Sequence, residues 1–232
     1  MKVAALNIQH GGGKRVNKLT EYLFSIDADT LIFSEYRQNK NAPKLIRILS
    51  NNGYIYSAAA SIQPKLNSVS IFSKKPFIPN TYKNLPEKYT RRVLSAQFEN
   101  LTLYGVYFPG KLNKSYLYKF FLNSDHLPGN APYTIIGDFN TGLHYIDEQG
   151  STFYCADEFK ALSNINLIDS WRSRNTEARE YSWFSNAGNG FRIDHAFSTP
   201  DADKRIKSIY YDHSTRESGI TDHSAMLIQY DT

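Results

Sequence analysis

Residues 134–140 read Thr-Ile-Ile-Gly-Asp-Phe-Asn, and this stretch constrains the chain more than any other. A short apolar run that stops at a glycine, a carboxylate and an amide reads as a buried strand, with Gly137 marking a close backbone approach. Buried strands end at sheet rims. Alternation then directs Phe139 inward and stands Asp138 and Asn140 side by side over a cleft. An Asp-x-Asn turn that closes a strand uses the same residue types, so the rest of the chain has to decide between the two.

The pattern recurs. Residues 2–8 form an apolar run that Asn7 interrupts near its end, and residues 29–34 form another that delivers Glu35. A buried amide needs hydrogen-bond partners or a function. The triple glycine at 11–13 lacks the Gly-Lys-Ser/Thr ending of a phosphate-binding loop and reads as a turn into a helix over 14–25. Further helices are expected over 43–51, 114–122 and 156–163, and strands over 54–60, 68–73, 93–98, 101–108, 206–211 and 225–228. Tyr107 ends one of these strands, just before Pro109-Gly110. Arg192-Ile193-Asp194-His195-Ala196-Phe197 is a strand with ionisable residues inside it, which demands an explanation. Strands outnumber helices and follow one another in sequence, so the expected class is an α+β sandwich rather than an alternating parallel sheet.

The 232 residues fit one domain, 1–232, with enough chain for two packed sheets covered by helices. A net charge of +5 favours a polyanionic partner, and 17 Tyr with 14 Phe could serve a core or stack on bases. Cys155 is the single cysteine, which excludes an intrachain disulfide and fits a reducing compartment. No stretch has the length of a signal or membrane-spanning segment, so a soluble, cytoplasmic protein without membrane contact is expected.

Collected, Asn7, Glu35, Tyr107, Asp138, Asn140, Asp194, Asp222 and His223 fall at or near the ends of apolar strands and would share one polar rim. Converging carboxylates repel, and a hard divalent cation relieves that repulsion. His223 and Asp194 add acid-base and electrostatic capacity. His10, His126, His144 and His213 read as loop residues without a role.

Taken in order, Leu6-Asn7-Ile8, Ser34-Glu35, Tyr107-Phe108-Pro109-Gly110, Gly137-Asp138-Phe139-Asn140, Tyr181-Ser182-Trp183-Phe184 with Gly190-Phe191-Arg192-Ile193-Asp194, and Thr221-Asp222-His223-Ser224 resemble the endonuclease/exonuclease/phosphatase superfamily. Within it the likeness is to exonuclease III-type apurinic/apyrimidinic endonucleases. The resemblance implies a four-layer αββα sandwich of two mixed sheets flanked by helices, and phosphodiester hydrolysis of double-stranded DNA by a monomer. It implies Mg²⁺, with Mn²⁺ as an alternative, at Glu35, Asn7 and Asp222. Asp138 would activate or align water, Asn140 would hold phosphate oxygens, Tyr107 would contact the phosphate, and Asp194 would orient a charge-stabilising His223.

Leu6 and Gln9 depart from the family pattern, as does the Tyr-Arg that follows Glu35. Trp183, Phe191 and Ile193 occupy the positions that border the sugar pocket of abasic-site enzymes, although these three could equally fill the core, and Arg192 is expected to bind substrate beside them. Lys74, Lys75, Arg91, Arg92, Lys111, Lys114, Arg172, Arg174 and Arg192 fall where a phosphate backbone could pass. Two other readings remain open: hydrolysis of a lipid, inositol phosphate or nucleotide conjugate, and a catalytically silent nucleic-acid-binding module.

Overall fold

The computed structural model describes residues 1–123, 127 and 131–231, so His126 lies outside the described residues. The chain runs β1 (Lys2–Asn7), α1 (Val16–Ile26), β2 (Thr30–Tyr36), α2 (Ala42–Asn51), β3 (Tyr56–Ala59), β4 (Ser68–Ser73), β5 (Ile78–Asn80), α3 (Glu87–Thr90), β6 (Val93–Gln97), β7 (Thr102–Tyr107), α4 (Ser115–Leu122), β8 (Tyr133–Asp138), α5 (Ala156–Ala161), β9 (Ile168–Asp169), β10 (Trp183–Phe184), β11 (Gly190–Phe191), β12 (Asp194–Ser198), α6 (Pro200–Asp203), β13 (Ile206–Asp212), α7 (Ser214–Glu217) and β14 (Ala225–Tyr230). The long elements match those expected from the apolar periodicity. The short ones, β5, α3, β9, α6 and α7, carry too few residues to leave a periodic signal.

One sheet has the order β13-β14-β1-β2-β4-β3 and the other β5-β6-β7-β8-β12-β9, with β10 and β11 forming a separate hairpin. Each sheet is antiparallel except for one parallel pair, β1 with β2 and β7 with β8. Three apolar seams hold four layers together. Ile32, Ile71, Leu94, Leu103, Ile136 and Ile228 belong to the seam between the sheets. Leu19, Leu23, Leu45 and Leu49 of α1 and α2 cover the outer face of the first sheet at Leu31 and Phe33. Leu117, Phe121 and Phe159 of α4 and α5 cover the second at Tyr104 and Ile135. This is the expected αββα sandwich, driven by burial of both faces of each sheet.

One glycine sets how closely the two sheets approach, and another how closely two strands pair. A Cβ on Gly105 would sit 2.7 Å from Ile32 Cγ2 across the seam. At Gly137, φ is +142° and a Cβ would fall 2.2 Å from the Val106 carbonyl oxygen, so β7 and β8 pair closely there only because the residue has no side chain. No helix among the described residues is long and apolar enough to cross a membrane.

Candidate active site

Topology brings the polar residues together. In each sheet the parallel pair ends at one rim, and the antiparallel β12 and β14 begin at it. Asn7 therefore closes β1 in register with Ser34, while Tyr107 and Asp194 both register with Asp138. Packing the sheets face to face then sets Asn7 of one against Asp138 of the other.

The Asp138 carboxylate is 1% exposed. Its Oδ2 accepts from Asn7 Nδ2 at 3.0 Å and from Asn140 Nδ2 at 3.1 Å, and its Oδ1 accepts from the Asn140 backbone N–H at 2.8 Å. Asn140 takes a left-handed φ of 52° to make these bonds, and its Nδ2 also donates to the Phe108 carbonyl at 2.8 Å. Behind it, the buried Lys114 ammonium donates to the Asn140 carbonyl, and burial lowers the Lys114 pKa to about 8. Desolvation raises the Asp138 pKa, opposed by His223 and the amide donors and reinforced by Asp194. A carboxyl raised in this way can take up a proton near neutral pH.

His223 Nδ1 lies 2.8 Å from Asp194 Oδ2. The Asp194 backbone is pinned by Ser182 Oγ, which accepts from its N–H, and by Tyr211 OH, which donates to its carbonyl. Burial on its own would make His223 neutral. The Asp194 charge and hydrogen bond, with Asp138 and Asp222 beyond, outweigh burial and raise its pKa, so the ring is an imidazolium at neutral pH. Asp222 Oδ2 accepts from Trp183 Nε1 at 3.2 Å, and Thr221 Oγ1 ties this corner to the Asn7 carbonyl at 2.7 Å.

Glu35 forms the opposite side. It sits where the β2–β4 register shifts, at φ 56°, and this bulge turns its carboxylate towards the rim. Oε1 accepts from Tyr107 OH at 3.2 Å and lies 3.4 Å from Asn7 Nδ2. Oε2 accepts from the His10 N–H at 3.1 Å. The Tyr107 phenol is pushed up to about 12 by burial, then by Glu35 and Asp138, and the Arg92 guanidinium stacks 4.6 Å from its ring centroid. No three His, Cys, Asp or Glu side chains among the described residues are grouped to enclose a metal. Mg²⁺ and similar ions need only one or two carboxylates, with water and substrate oxygens completing the shell, and Glu35 fits that mode, whereas the Asn7 amide turns its donor nitrogen rather than its oxygen towards it.

The residues expected to bind substrate divide. Trp183 and Phe191 are half-buried partners across the β10–β11 hairpin, with ring centroids 5.7 Å apart. Ile193 is buried, its backbone N–H bonded to Ser182 Oγ. Arg192 requires a correction: it is fully buried, with Nε bonded to Asp147 Oδ1 at 2.7 Å and NH2 to Asp169 Oδ2 at 2.6 Å. Its charge holds both aspartates below the usual carboxylate range, which explains an arginine beside an inner strand and removes it from the substrate surface.

The cationic loop residues divide in the same way. Arg172 bonds Asp147, Arg174 bonds Asp203, Lys74 bonds Asp27 and Lys114 is buried. Arg91 and Arg92 border the site and bond carbonyl oxygens, including those of Asn67 and Tyr107.

Sequence reasoning missed three neighbours of the site: His10, Arg37 and Asn67. His10 Nδ1 is 2.8 Å from Glu35 Oε2, and Asn67 Nδ2 donates to Tyr107 OH at 3.4 Å. Gln9, which stands where some relatives carry an acid, turns its side chain to Arg15. Nothing local singles out His10 except its place between Asn7 and the glycine turn.

The chain matches the Endonuclease/Exonuclease/phosphatase family over residues 4–223. No curated protein sequence matches it. Among solved structures, an AP endonuclease from Archaeoglobus fulgidus superposes with a TM-score of 0.85 at 18% identity, covering 100% of both chains. The 3′-5′ exonuclease NExo from Neisseria meningitidis gives 0.84 at 22% identity, also over 100% of both chains. A 3′ phosphatase NExo from Neisseria, bound to a product DNA hairpin, gives 0.83 at 22% identity with the same coverage. These likenesses establish a shared fold.

Proposed function

The chain belongs to the endonuclease/exonuclease/phosphatase family, and from that premise we propose that it is a divalent-metal-dependent phosphodiester hydrolase acting on DNA, at abasic sites or at 3′ ends. The observation that carries this reading is the buried Asp138 carboxylate, held by Asn7 and Asn140 between Glu35 on one side and the Asp194–His223 pair on the other. A silent binding module has no need of such a costly arrangement of charge.

The roles follow from the geometry. Asp138, raised by burial, accepts the proton of an attacking water, and the amides of Asn7 and Asn140 fix its orientation. His223, with Nδ1 committed to Asp194, presents Nε2 as an imidazolium to the charge that develops on the phosphoryl oxygens. Tyr107, its hydroxyl kept protonated by burial and Glu35, would redirect to a phosphate oxygen the proton it gives to Glu35 Oε1 in the free protein. Nucleases of this family use divalent ions; an ion held by Glu35 would supply Lewis-acid polarisation of the phosphoryl group, with Asn7 and Asp222 kept as its expected further contacts. Trp183 and Phe191 offer an apolar wall to an exposed sugar. The reading takes residues 1–232 as one domain acting as a monomer on duplex DNA, with Mg²⁺ or Mn²⁺ as the ion.

End-labelled intact duplex, abasic-site duplex, 3′-phosphorylated duplex and single strand, each incubated with Mg²⁺, Mn²⁺ or EDTA, test it. Metal-dependent incision at the abasic site or release at the 3′ end, absent in Asp138→Asn, is the expected result. No reaction on any of the four by folded protein overturns the DNA reading and directs attention to lipid or nucleotide phosphoesters.

A further inference from the structure

Beside Glu35 stands a side chain that the proposed hydrolysis does not use. Gln9 and His10 are consecutive non-glycine residues in the left-handed region, at φ 47° and 60°. L residues take that conformation only where their surroundings enforce it. Here the Gln9 N–H donates to Asn7 Oδ1 at 2.9 Å, the His10 N–H to Glu35 Oε2 at 3.1 Å, and the Gly11 N–H to the Glu35 carbonyl at 2.8 Å. The effect is to aim the imidazole at the same carboxylate oxygen, with Nδ1 2.8 Å from Glu35 Oε2 and the side chain 57% exposed.

The surroundings of that nitrogen conflict. Arg37 NH2 approaches it at 2.9 Å and Asn67 Oδ1 at 3.3 Å, in addition to Glu35 Oε2. A ring nitrogen either donates or accepts. As a donor it serves one of the oxygens and opposes Arg37; as an acceptor it serves Arg37 and opposes both oxygens. A cation shared by the Nδ1 lone pair and Oε2 satisfies both of those atoms; it requires Arg37 NH2 to turn away from Nδ1, which leaves Arg37 the bond from its Nε to Asn67 Oδ1. The spacing also suits a cation. Neighbouring ligand atoms on an octahedral ion with bonds of about 2.1 Å lie about 3.0 Å apart.

We infer that His10 is a nitrogen ligand which, together with Glu35, makes this rim a site for a first-row transition ion such as Mn²⁺ in preference to Mg²⁺. Mg²⁺ takes oxygen ligands almost exclusively, whereas imidazole suits transition ions. The inference rests on the proposed role of Glu35 in holding the metal.

Mn²⁺ alone is the probe, added to the full chain. Continuous-wave electron paramagnetic resonance counts free Mn²⁺, pulsed spectra report ¹⁴N coupling from a bound imidazole, and calorimetry measures Mg²⁺. His10→Gln keeps an amide that can bond Glu35 but removes the imidazole. The expected result is ¹⁴N coupling in the wild type that disappears in His10→Gln, with Mn²⁺ affinity falling about tenfold or more and Mg²⁺ affinity unchanged. Bound Mn²⁺ without ¹⁴N coupling, or equal Mn²⁺ affinity in the variant, overturns the inference while leaving metal-dependent DNA cleavage standing. Wild-type binding that survives Glu35→Gln, or no binding at all, removes the metal assignment of the proposed function and this inference with it.

Discussion

Asn7 Nδ2, at the end of β1 in one sheet, donates to Asp138 Oδ2, at the end of β8 in the other, at 3.0 Å. This bond crosses the seam at the mouth of the sandwich and makes the site a product of sheet packing. Asn7→Ala leaves a buried carboxylate short of a donor, with an expected cost of about 1–3 kcal/mol. Asp138→Asn removes the buried charge and the proton acceptor together and sets an NH2 against an N–H donor, so turnover should fall by about 10²–10⁴ with a stability cost of about 1–3 kcal/mol. Chemical denaturation and single-turnover cleavage on the same samples separate the two effects. An Asp138→Asn enzyme that retains wild-type turnover removes Asp138 from the mechanism.

The Asp194–His223 pair sets a pH limit. Its raised pKa keeps His223 charged at neutral pH, so activity that needs the imidazolium is present at neutral pH and lost as pH rises through the raised value. Asp194→Asn withdraws the main support for the charge. The basic limb of the kcat/KM profile should move to lower pH, and the rate at neutral pH should fall by about 10²–10³. A basic limb that stays in place in Asp194→Asn would show that another group governs it.

Arg192, Asp147 and Asp169 carry stability rather than binding. Both carboxyls are depressed in the folded state, so their contribution is complete above the unfolded Asp pKa of about 3.9 and drains away as pH falls below it. Arg192→Ala strips Asp169 of its guanidinium and leaves the buried Asp147 to Arg172 alone, and should cost about 3 kcal/mol at pH 7. Its unfolding free energy should also depend less on pH between about 5 and 3 than that of the wild type. Urea denaturation across that range is the measurement. The KM for DNA should hold as long as the variant is folded, and a raised KM with normal stability would restore Arg192 to the substrate surface.

Gly137→Ala pushes a methyl group into the Val106 carbonyl at a φ that L residues avoid. A loss of at least about 3 kcal/mol is expected. Gly110→Ala, where a Cβ meets nothing within 4 Å, is the matched control and should change stability by about 0.5 kcal/mol or less. Thermal unfolding of the pair reads the difference directly.

The sequence by itself determined the strands and which polar residue closes each of them, because both signals are local: apolar runs report burial, and alternation reports which side chains face the rim. Asn7, Asp138 and the Asp-His pair near the last strand were legible for that reason, as was the need for glycine at 137. Tertiary structure decided the rest. Whether Arg192 meets DNA or two aspartates depends on Asp147 and Asp169, which are 45 and 23 residues away in sequence. The bulge that turns Glu35 to the rim arises from its pairing with β4, and His10 acquires a place only because the Glu35 carboxylate holds its backbone. Local pattern carries burial, whereas the partner of a charge is a long-range contact, and chain spacing holds no record of it.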